Sequence, residues 1–494
     1  MELTENTKPG YRLLNSRAQR RRTSVRWHPS AIALLLLISL ACVCRSTQAR
    51  FRQANAEYQA RREKLRTTVD GPIVLYGYSG REDASEVAVF FQEPSFYYLT
   101  GYDESGAAML LMPAPPSTPP GARTDYRIKK GEALLYEFPA EILYLPPRDP
   151  KTELWEGPKI GLDDPGVMNK TGFKVVEPSA NLKADLEKLA KVYPNFYTIL
   201  PPEHEAGYPH FTESVAAIHG AIPQANIKDL APQLYAMRQI KSEGELALMQ
   251  KAIDPSIDAH FDAMRTMRPG LFEYQIAARM KEIHEWAGCE REAYAPIVGA
   301  GFNSTVLHYS ALASQIKYGD LVVIDMGGEY AGYAADITRT LPANGHFPPR
   351  QREIYDIVLG AQNAALAAVK PGAMLYRGKN SLQQIVIDYI RNSQGRDREG
   401  RTLERYYPHG VSHHIGLDVH DPGDRDRPLE PGMVISVEPG IYIPEENLGV
   451  RIEDDVLVTP EGSRILTARL PRTADELERV IADAHNSTTL PPDN

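Results

Sequence analysis

The spacing of apolar and polar residues divides the chain into a first part that alternates strand and helix signals and a second part richer in strands. Short apolar runs at 72–76 and 107–111 predict buried strands. Apolar residues at helical spacing predict a long amphipathic helix that ends before Pro269 and Gly270, with the stripe Ala252, Ile253, Ile257, Phe261 and Met264. The pattern favours an α/β domain over residues 50–230, an α+β domain of helices on mostly antiparallel strands over residues 231–480, and a polar tail over residues 481–494.

Two aspartates lie at the ends of strands that the pattern predicts to pair. An apolar run at 321–324 ends at Asp325, a glycine-rich segment at 327–332 predicts a turn, and 333–339 predicts a returning strand that carries Asp336. Cross-strand neighbours in a hairpin lie about 5 Å apart at Cβ, so both carboxylates can reach one point. There they repel each other unless a cation lies between them. Taken alone, two aspartates beside such a turn are more often solvated than ligating.

Histidines cluster in the segment 409–420, which holds four of the 13 in the chain. Such clustering indicates a metal or proton-transfer site. An apolar strand at 433–437 leads to Glu438, and the alternating segment 450–458 places Arg451 and Glu453 on one face of a strand. The candidate metal ligands are therefore Asp325, Asp336, His413, Glu438 and Glu453.

Four carboxylates and one imidazole are too anionic a set for one structural zinc ion, and they suit two divalent cations that share bridging carboxylates. Two such ions about 3.5 to 4 Å apart generate a hydroxide nucleophile at neutral pH and stabilise the charge on an attacked carbonyl. Carboxylate-rich sites accept manganese, cobalt or zinc, and oxygen ligands favour manganese. The expected cofactor is two Mn²⁺ ions per chain, and the expected chemistry is metal-assisted amide hydrolysis.

Four segments resemble motifs of the metallopeptidase family with the pita-bread fold: DMGGEYAGYAADITRT from residue 325, HGVSHHIGLDVH from 409, SVEPGIY from 436 and RIEDD from 451. Among its members the resemblance is strongest to the aminopeptidases P, which remove an N-terminal residue preceding proline. FYYLTG at 96–101 is similar to that subfamily's signature, and MRQIKS at 237–242 resembles the junction that opens its catalytic domain. The resemblance spans residues 50 to 478 and implies an α/β N-terminal domain followed by an α+β pita-bread catalytic domain.

The same resemblance assigns roles to single residues. It implies that Asp336 and Glu453 bridge two metals, that Asp325 chelates one of them, and that His413 and Glu438 ligate the other. Glu438 would also be the base for the bridging water. Three further histidines complete the implied catalytic set, with His308 and His420 contacting the substrate around the scissile bond and His409 supporting them.

Two departures from the family pattern concern contacts rather than ligands. Family members usually have a polar stretch that contains Glu-Asn where this chain has the segment 310–314, SALAS, and the difference alters the expected substrate subsites. The segment 90–96 replaces a stretch that commonly contains arginine, which alters the contacts expected with a neighbouring subunit of a homo-oligomer.

The main functional hypothesis is an aminopeptidase acting on peptides with proline in the second position, with a metal-bridging hydroxide as nucleophile. One alternative is a prolidase, which cleaves only Xaa-Pro dipeptides. Arg451 lies two residues from Glu453 and is expected to neutralise the carboxylate cluster rather than bind substrate. No motif places a second arginine to grip the carboxylate of a dipeptide, which favours the aminopeptidase. The other alternative is a non-catalytic pita-bread module that binds peptides. Four converging carboxylates without a metal would cost such a module stability, which argues against it.

Charge and the N-terminal segment bear on location. Residues 1–50 hold nine basic and two acidic residues, leaving 46 basic and 62 acidic residues in the rest, an acidic body unsuited to nucleic acid. The apolar run 31–43 after the basic start, followed by small residues to Ala49, is typical of a secretory signal. Residues 1–49 are therefore expected to be a signal peptide or an uncleaved membrane anchor. Either places the body outside the cytoplasm, in the periplasm or the extracellular space. Cys42 and Cys44 lie within residues 1–49, so Cys289 is the one cysteine of the body and is expected to be a small buried residue.

Overall fold

The computed structural model describes residues 52–80, 89–114, 126–130, 133–201 and 209–487. The expected signal or anchor at 1–49 and the end of the expected tail, from residue 488, lie outside the described residues. In the part that is described, no helix is both long and apolar enough to span a membrane.

A mixed six-stranded sheet organises the first part of the chain. The strands of this part are β1 (Ile73–Tyr76), β2 (Ala108–Leu111), β3 (Tyr126–Lys130), β4 (Ala133–Phe138), β5 (Glu141–Leu145), β6 (Val176–Pro178), β7 (Asn195–Thr198) and β8 (Asn226–Asp229). The sheet has the order β6-β5-β2-β1-β7-β8, and β3 and β4 form a separate hairpin. The central pairings of β1 with β2 and of β2 with β5 are antiparallel, and the outer pairings are parallel. The helices are α1 (Asn55–Arg66), α2 (Pro94–Thr100), α3 (Pro150–Glu156), α4 (Val167–Thr171), α5 (Leu182–Leu189) and α6 (Pro209–Ala221).

The segment FYYLTG forms most of helix α2, and its ends have clear local causes. The Glu93 side chain caps the helix by accepting hydrogen bonds from the backbone N–H groups of Ser95 and Phe96, and Pro94 occupies the first turn. The helix stops at Gly101, which adopts the left-handed conformation with φ 60°. Helix α2 is thereby fixed in length and direction, with Phe96 fully buried.

The second part packs helices against small antiparallel sheets, and every strand pairing that the structure describes beyond residue 231 is antiparallel. The strands of these sheets are β9 (Arg291–Glu292), β10 (Ile297–Ala300), β11 (Leu321–Asp325), β12 (Gly328–Tyr330), β13 (Tyr333–Ala334), β14 (Thr338–Pro342), β15 (Val434–Val437), β16 (Gly440–Ile443), β17 (Leu448–Arg451), β18 (Asp454–Thr459) and β19 (Gly462–Ile465). The sheets have the orders β10-β11-β14, β13-β12-β9, β15-β18-β19 and β16-β17. The helices are α7 (Ala231–Gln239), α8 (Glu243–Thr266), α9 (Glu273–Trp286), α10 (Pro349–Ala368), α11 (Leu382–Asn392) and α12 (Ala474–Ser487).

The long helix predicted from the apolar stripe is α8. Ser242 and Glu245 form a capping box at its start. Four of the five stripe residues are buried and Phe261 is half-buried, so the stripe is core, as expected. Cys289 is also buried, which agrees with its interpretation as a small core residue.

Two of the predicted strands are broken in the structure. The segment 327–332 is not a plain turn, because Gly328–Tyr330 is strand β12 and the returning strand ends at Ala334. Asp336 therefore lies in the link between β13 and β14 rather than within a strand. The predicted strand 450–458 divides into β17 and β18, since the chain leaves one sheet at Arg451 and enters another at Asp454. Each break lies beside a candidate ligand.

The expected domain limits fall at two places in the structure. Residue 230 lies between β8 and α7, and the described residues on both sides belong to one compact unit, so the division there stays a prediction. Helix α12 continues through Ser487, so the segment expected to become a polar tail at 481 is still helical there.

Replacing Gly101 with alanine should destabilise the chain. A Cβ at this position would lie 2.4 Å from the Tyr58 ring, and the left-handed backbone adds its own cost. Together we expect a loss of about 2–4 kcal/mol in the free energy of unfolding, measured by urea titration. Gly166→Ala is the control, because its φ is 76° and no atom lies within 4 Å of the added Cβ. Equal losses in the two variants would contradict the packing argument.

Candidate active site

Asp325, the last residue of β11, is held by two donors. Its Oδ1 accepts a hydrogen bond from the Tyr294 hydroxyl at 2.6 Å, and its Oδ2 accepts one from Arg451 Nη2 at 2.6 Å. All three side chains line the same cavity. Arg451 was expected to neutralise the carboxylate cluster, and the contact agrees with that role.

Asp336 reaches the same cavity from the link between β13 and β14. In the ladder, Asp325 pairs with Thr338, which places Asp336 two residues beyond the paired position. The Asp336 backbone N–H donates to Asp455 Oδ2 at 3.3 Å. His260 on helix α8 holds the backbone that follows each of the two aspartates. Its Nε2 lies 3.2 Å from the carbonyl oxygen of Met326, next to Asp325, and 3.1 Å from that of Ile337, next to Asp336.

Glu453 lies at the break between β17 and β18 and is buried. Its Oε2 accepts a hydrogen bond from Thr338 Oγ1 at 2.6 Å. Its backbone carbonyl accepts from Arg339 Nη1 at 2.6 Å, and Arg339 Nη2 pairs with Asp454 Oδ1 at 2.8 Å. The fully buried Arg339 guanidinium thus holds the chain where it changes sheets.

Glu438 and His413 come from two neighbouring segments, and Ser436 connects them. The Ser436 hydroxyl accepts from the His413 backbone N–H at 3.0 Å and donates to Glu438 Oε1 at 3.3 Å. His413 Nδ1 lies 3.1 Å from the His414 carbonyl, which leaves Nε2 facing Asp336 Oδ2 at 3.2 Å and Glu438 Oε1 at 3.5 Å. An Nδ1–H donated to a carbonyl fixes the tautomer that ligates through Nε2.

The pKa values of these groups are shifted by burial and by the charges of their neighbours. Burial raises the pKa of Asp336, and burial together with neighbouring carboxylates raises that of Glu453 well above its ordinary value. Burial also raises the pKa of Glu438 to about 7. Burial lowers the pKa of His413, but Asp336 outweighs it and brings the value to about 9. The carboxylates therefore favour a positive charge at their centre.

Asp336, His413 and Glu453 each place one ligand atom within 4.8 Å of the others, a spacing that suits one divalent cation. Asp325 and Glu438 are not in this group of three but line the same cavity, of about 470 Å³. The donor set is carboxylate oxygens and one imidazole nitrogen, which fits a hard or borderline divalent ion. The five predicted ligands are thus brought together.

The three predicted histidines also line this cavity. His409 Nε2 lies 2.8 Å from the Tyr442 hydroxyl, and burial lowers the pKa of His409 to about 4. The rings of His420 and His413 meet edge to face at 4.2 Å between centroids. His308 and His420 are exposed to the cavity opening, whereas His409 is half-buried.

Several residues of the site were not predicted from the sequence. Tyr294, Tyr376 and Arg425 line the cavity, and no spacing pattern pointed to them. Thr338 and Arg339 lie within the motif that begins at Asp325, and their place in that motif is the sequence signal that could have identified them. Arg425 is a second arginine at the cavity beside Arg451, and no motif placed it there.

Comparison with known proteins shows the family of this chain. The model of metallopeptidase family M24 matches residues 247–460, and that of the aminopeptidase P N-terminal domain matches residues 58–197. A Xaa-Pro aminopeptidase of Haemophilus influenzae is 37% identical over 79% of this chain and 88% of its own length. The chain belongs to the aminopeptidase P family.

Solved structures of the aminopeptidase P family confirm the fold expected from the sequence. Proline aminopeptidase P II from Yersinia pestis superposes with a TM-score of 0.72 at 31% identity, covering 87% of this chain and all of its own. Aminopeptidase PepP of Pseudomonas aeruginosa gives 0.74 at 32% identity, covering 89% and 100%. The chain is therefore a metal-dependent enzyme with an α/β N-terminal domain and a pita-bread catalytic domain.

Removing Asp336 should remove bound metal. Asp336→Ala deletes a ligand from the centre of the group, so we expect elemental analysis to find less than half of the divalent metal of the parent chain together with the loss of peptidase activity. Asp262→Asn is the control, because that carboxylate pairs with Arg279 on the surface. Full metal retention in Asp336→Ala would contradict the assignment of Asp336 as a ligand.

Proposed function

We propose that this chain hydrolyses the N-terminal Xaa-Pro bond of peptides, using divalent metal held by Asp325, Asp336, His413, Glu438 and Glu453. The observation that carries the proposal is the convergence of these five side chains on one cavity in a member of the aminopeptidase P family. The relative from Haemophilus influenzae is named a Xaa-Pro aminopeptidase, and the matched segment covers most of both chains.

Bound divalent metal, proposed here as two Mn²⁺ ions per chain, supplies an activated water and stabilises negative charge on the attacked carbonyl. The residues of the chain supply the rest. Glu438 lines the cavity beside His413 and is proposed to accept a proton there. His420 lies exposed in the lining of the cavity and is proposed to donate a hydrogen bond to the substrate.

His308 lies at the same opening and is proposed to contact the substrate from the other side of the scissile bond. His409 supports the site through Tyr442, whose hydroxyl also accepts a hydrogen bond from Arg451 Nη1 at 3.0 Å. Because Arg451 in turn holds Asp325, His409 and Asp325 are connected through two hydrogen-bonding side chains.

Arg425 is relevant to the alternative that the chain is a prolidase. A dipeptidase needs a cation for the free carboxylate of its substrate, and Arg425 is a cation at the cavity. Its side chain is exposed rather than closed over the metal ligands, so a longer peptide can pass beside it. The names of the similar proteins favour the aminopeptidase.

A peptide panel with added manganese tests the proposal. We expect Xaa-Pro-Yaa peptides to be cleaved with a higher kcat/KM than the matching Xaa-Pro dipeptide, and replacement of proline by alanine to remove most of the activity. Released N-terminal amino acid is measured by chromatography. A preference for the dipeptide would establish the prolidase instead, and no cleavage of any peptide would favour a binding module.

We further propose that the chain acts outside the cytoplasm, in the periplasm or the extracellular space. The basic start and the apolar run 31–43 support this proposal. N-terminal sequencing of protein from the native host should begin near Arg50, or find residues 1–49 intact in the membrane fraction if the segment is an anchor. Full-length chain in the soluble cytoplasmic fraction would contradict export.

We also propose that the chain forms a homo-oligomer. Leu154 and Trp155 on α3 support this, since more than four-fifths of each side chain is exposed and a second copy could cover them. Light scattering of the purified chain measures the state, and the mass of a single chain at micromolar concentration would contradict the proposal.

A further inference from the structure

Two motifs of the sequence, FYYLTG and MRQIKS, have no part in the metal chemistry, yet the structure brings the segments that contain them together at one side chain. Arg238 lies on α7 within MRQIKS and is buried. Its Nη1 donates to the hydroxyl of Ser95, in the first turn of α2, at 2.9 Å. The guanidinium thus joins the helix that carries FYYLTG to the second part of the chain.

The other end of the Arg238 guanidinium binds two aspartates. Its Nη2 donates to Asp418 Oδ2 and to Asp421 Oδ1, each at 2.6 Å. Lys241, from the same motif, donates to Asp421 Oδ2 at 3.2 Å. Burial raises the pKa of Asp421, but Arg238 and Lys241 outweigh it and hold the value below its ordinary range, so this buried carboxylate is ionised.

The two aspartates flank His420. The loop that contains them is closed by hydrogen bonds from the Asp421 N–H to the His414 carbonyl at 2.8 Å and from the Gly416 N–H to the Asp418 carbonyl at 3.0 Å. His420 projects from this loop toward the cavity, where its ring meets that of His413. Because the His420 ring is exposed, the loop backbone determines where it lies.

We propose that Arg238 is a positioning residue for His420, and that Ser95 of the first domain supports it. Two carboxylates this close require a shared cation, and the rigid fork of a guanidinium can bind both and still reach Ser95. The loop therefore keeps the arrangement that presents His420 only while Arg238 is in place. This inference rests on the proposed function in one respect, that His420 acts on the substrate.

Kinetics of Asp418→Asn test the positioning role. Asp418 is half-exposed, so the variant weakens the Arg238 contact with little risk to folding. We expect kcat on an Xaa-Pro-Yaa peptide to fall about 5- to 50-fold, the range of coupling within one hydrogen-bond network, with unchanged metal content. Asp426→Asn is the matched control, since Asp426 lies on the same stretch and pairs with the exposed Arg377, and it should have no effect.

A double-mutant cycle separates positioning from general destabilisation. In a His420→Ala background, Asp418→Asn should lower kcat less than about twofold, because the residue it positions is already gone. An equal loss in both backgrounds, a drop in metal content, or an equal effect of Asp426→Asn would overturn the proposal.

Hydrogen–deuterium exchange decides the structural part without reference to activity. Arg238→Lys cannot bind Ser95 and both aspartates at once, so amides of peptides spanning 414–421 should exchange faster than in the parent chain, and Ser95→Ala should give a smaller increase. Unchanged exchange in Arg238→Lys would overturn the proposal. If the parent chain cleaves no Xaa-Pro peptide, the proposed function fails while the exchange experiment still decides whether Arg238 holds the loop.

Discussion

Four carboxylates share one cavity, three of them buried, and the repulsion among them is the constraint on which the second part of the chain depends. Each carboxylate has a hydrogen-bond or ion-pair partner from a neighbouring segment. Asp325 has Arg451, Asp336 and Glu438 share His413, and Glu453 has the hydroxyl of Thr338. These contacts lower the cost of burial but leave negative charge at the centre, and that residual charge makes the cavity a site for divalent metal.

Holding such groups at a fixed spacing requires a rigid backbone behind them. Arg339 provides it at Glu453, because its buried guanidinium binds the carbonyls of Thr338 and Glu453 as well as the Asp454 carboxylate. His260 provides this rigidity for the backbone next to Asp325 and Asp336. Burial lowers the pKa of its imidazole to about 3 and keeps the ring neutral. A neutral ring can donate its Nε2–H to the two backbone carbonyl oxygens, and it adds no charge beside the cavity.

The sequence predicted which carboxylates meet at the cavity, because a carboxylate at the end of an apolar strand is a local pattern. It did not predict the breaks at Asp336 and at residues 452–453, since alternation alone cannot show where a chain leaves one sheet for another. Arg339, His260 and Arg425 were missed for a related reason. The partners of Arg339 and His260, and the cavity that Arg425 lines, belong to elements distant in sequence, and only the folded chain brings them together.

The segment 310–314, which departs from the family pattern, lies beside a loop that a buried carboxylate holds in place. Glu273 is buried at the start of α9, and its two oxygens accept from the Ala300 N–H, the Asn303 amide, the Tyr309 hydroxyl and the Ser314 N–H at 2.8 to 2.9 Å. These donors lie on both sides of His308. The loop that carries His308 is thereby anchored from behind by one carboxylate, and its position does not depend on the polar side chains that the segment lacks. The change at 310–314 therefore bears on what the cavity opening offers a peptide, while the placement of His308 is set by α9.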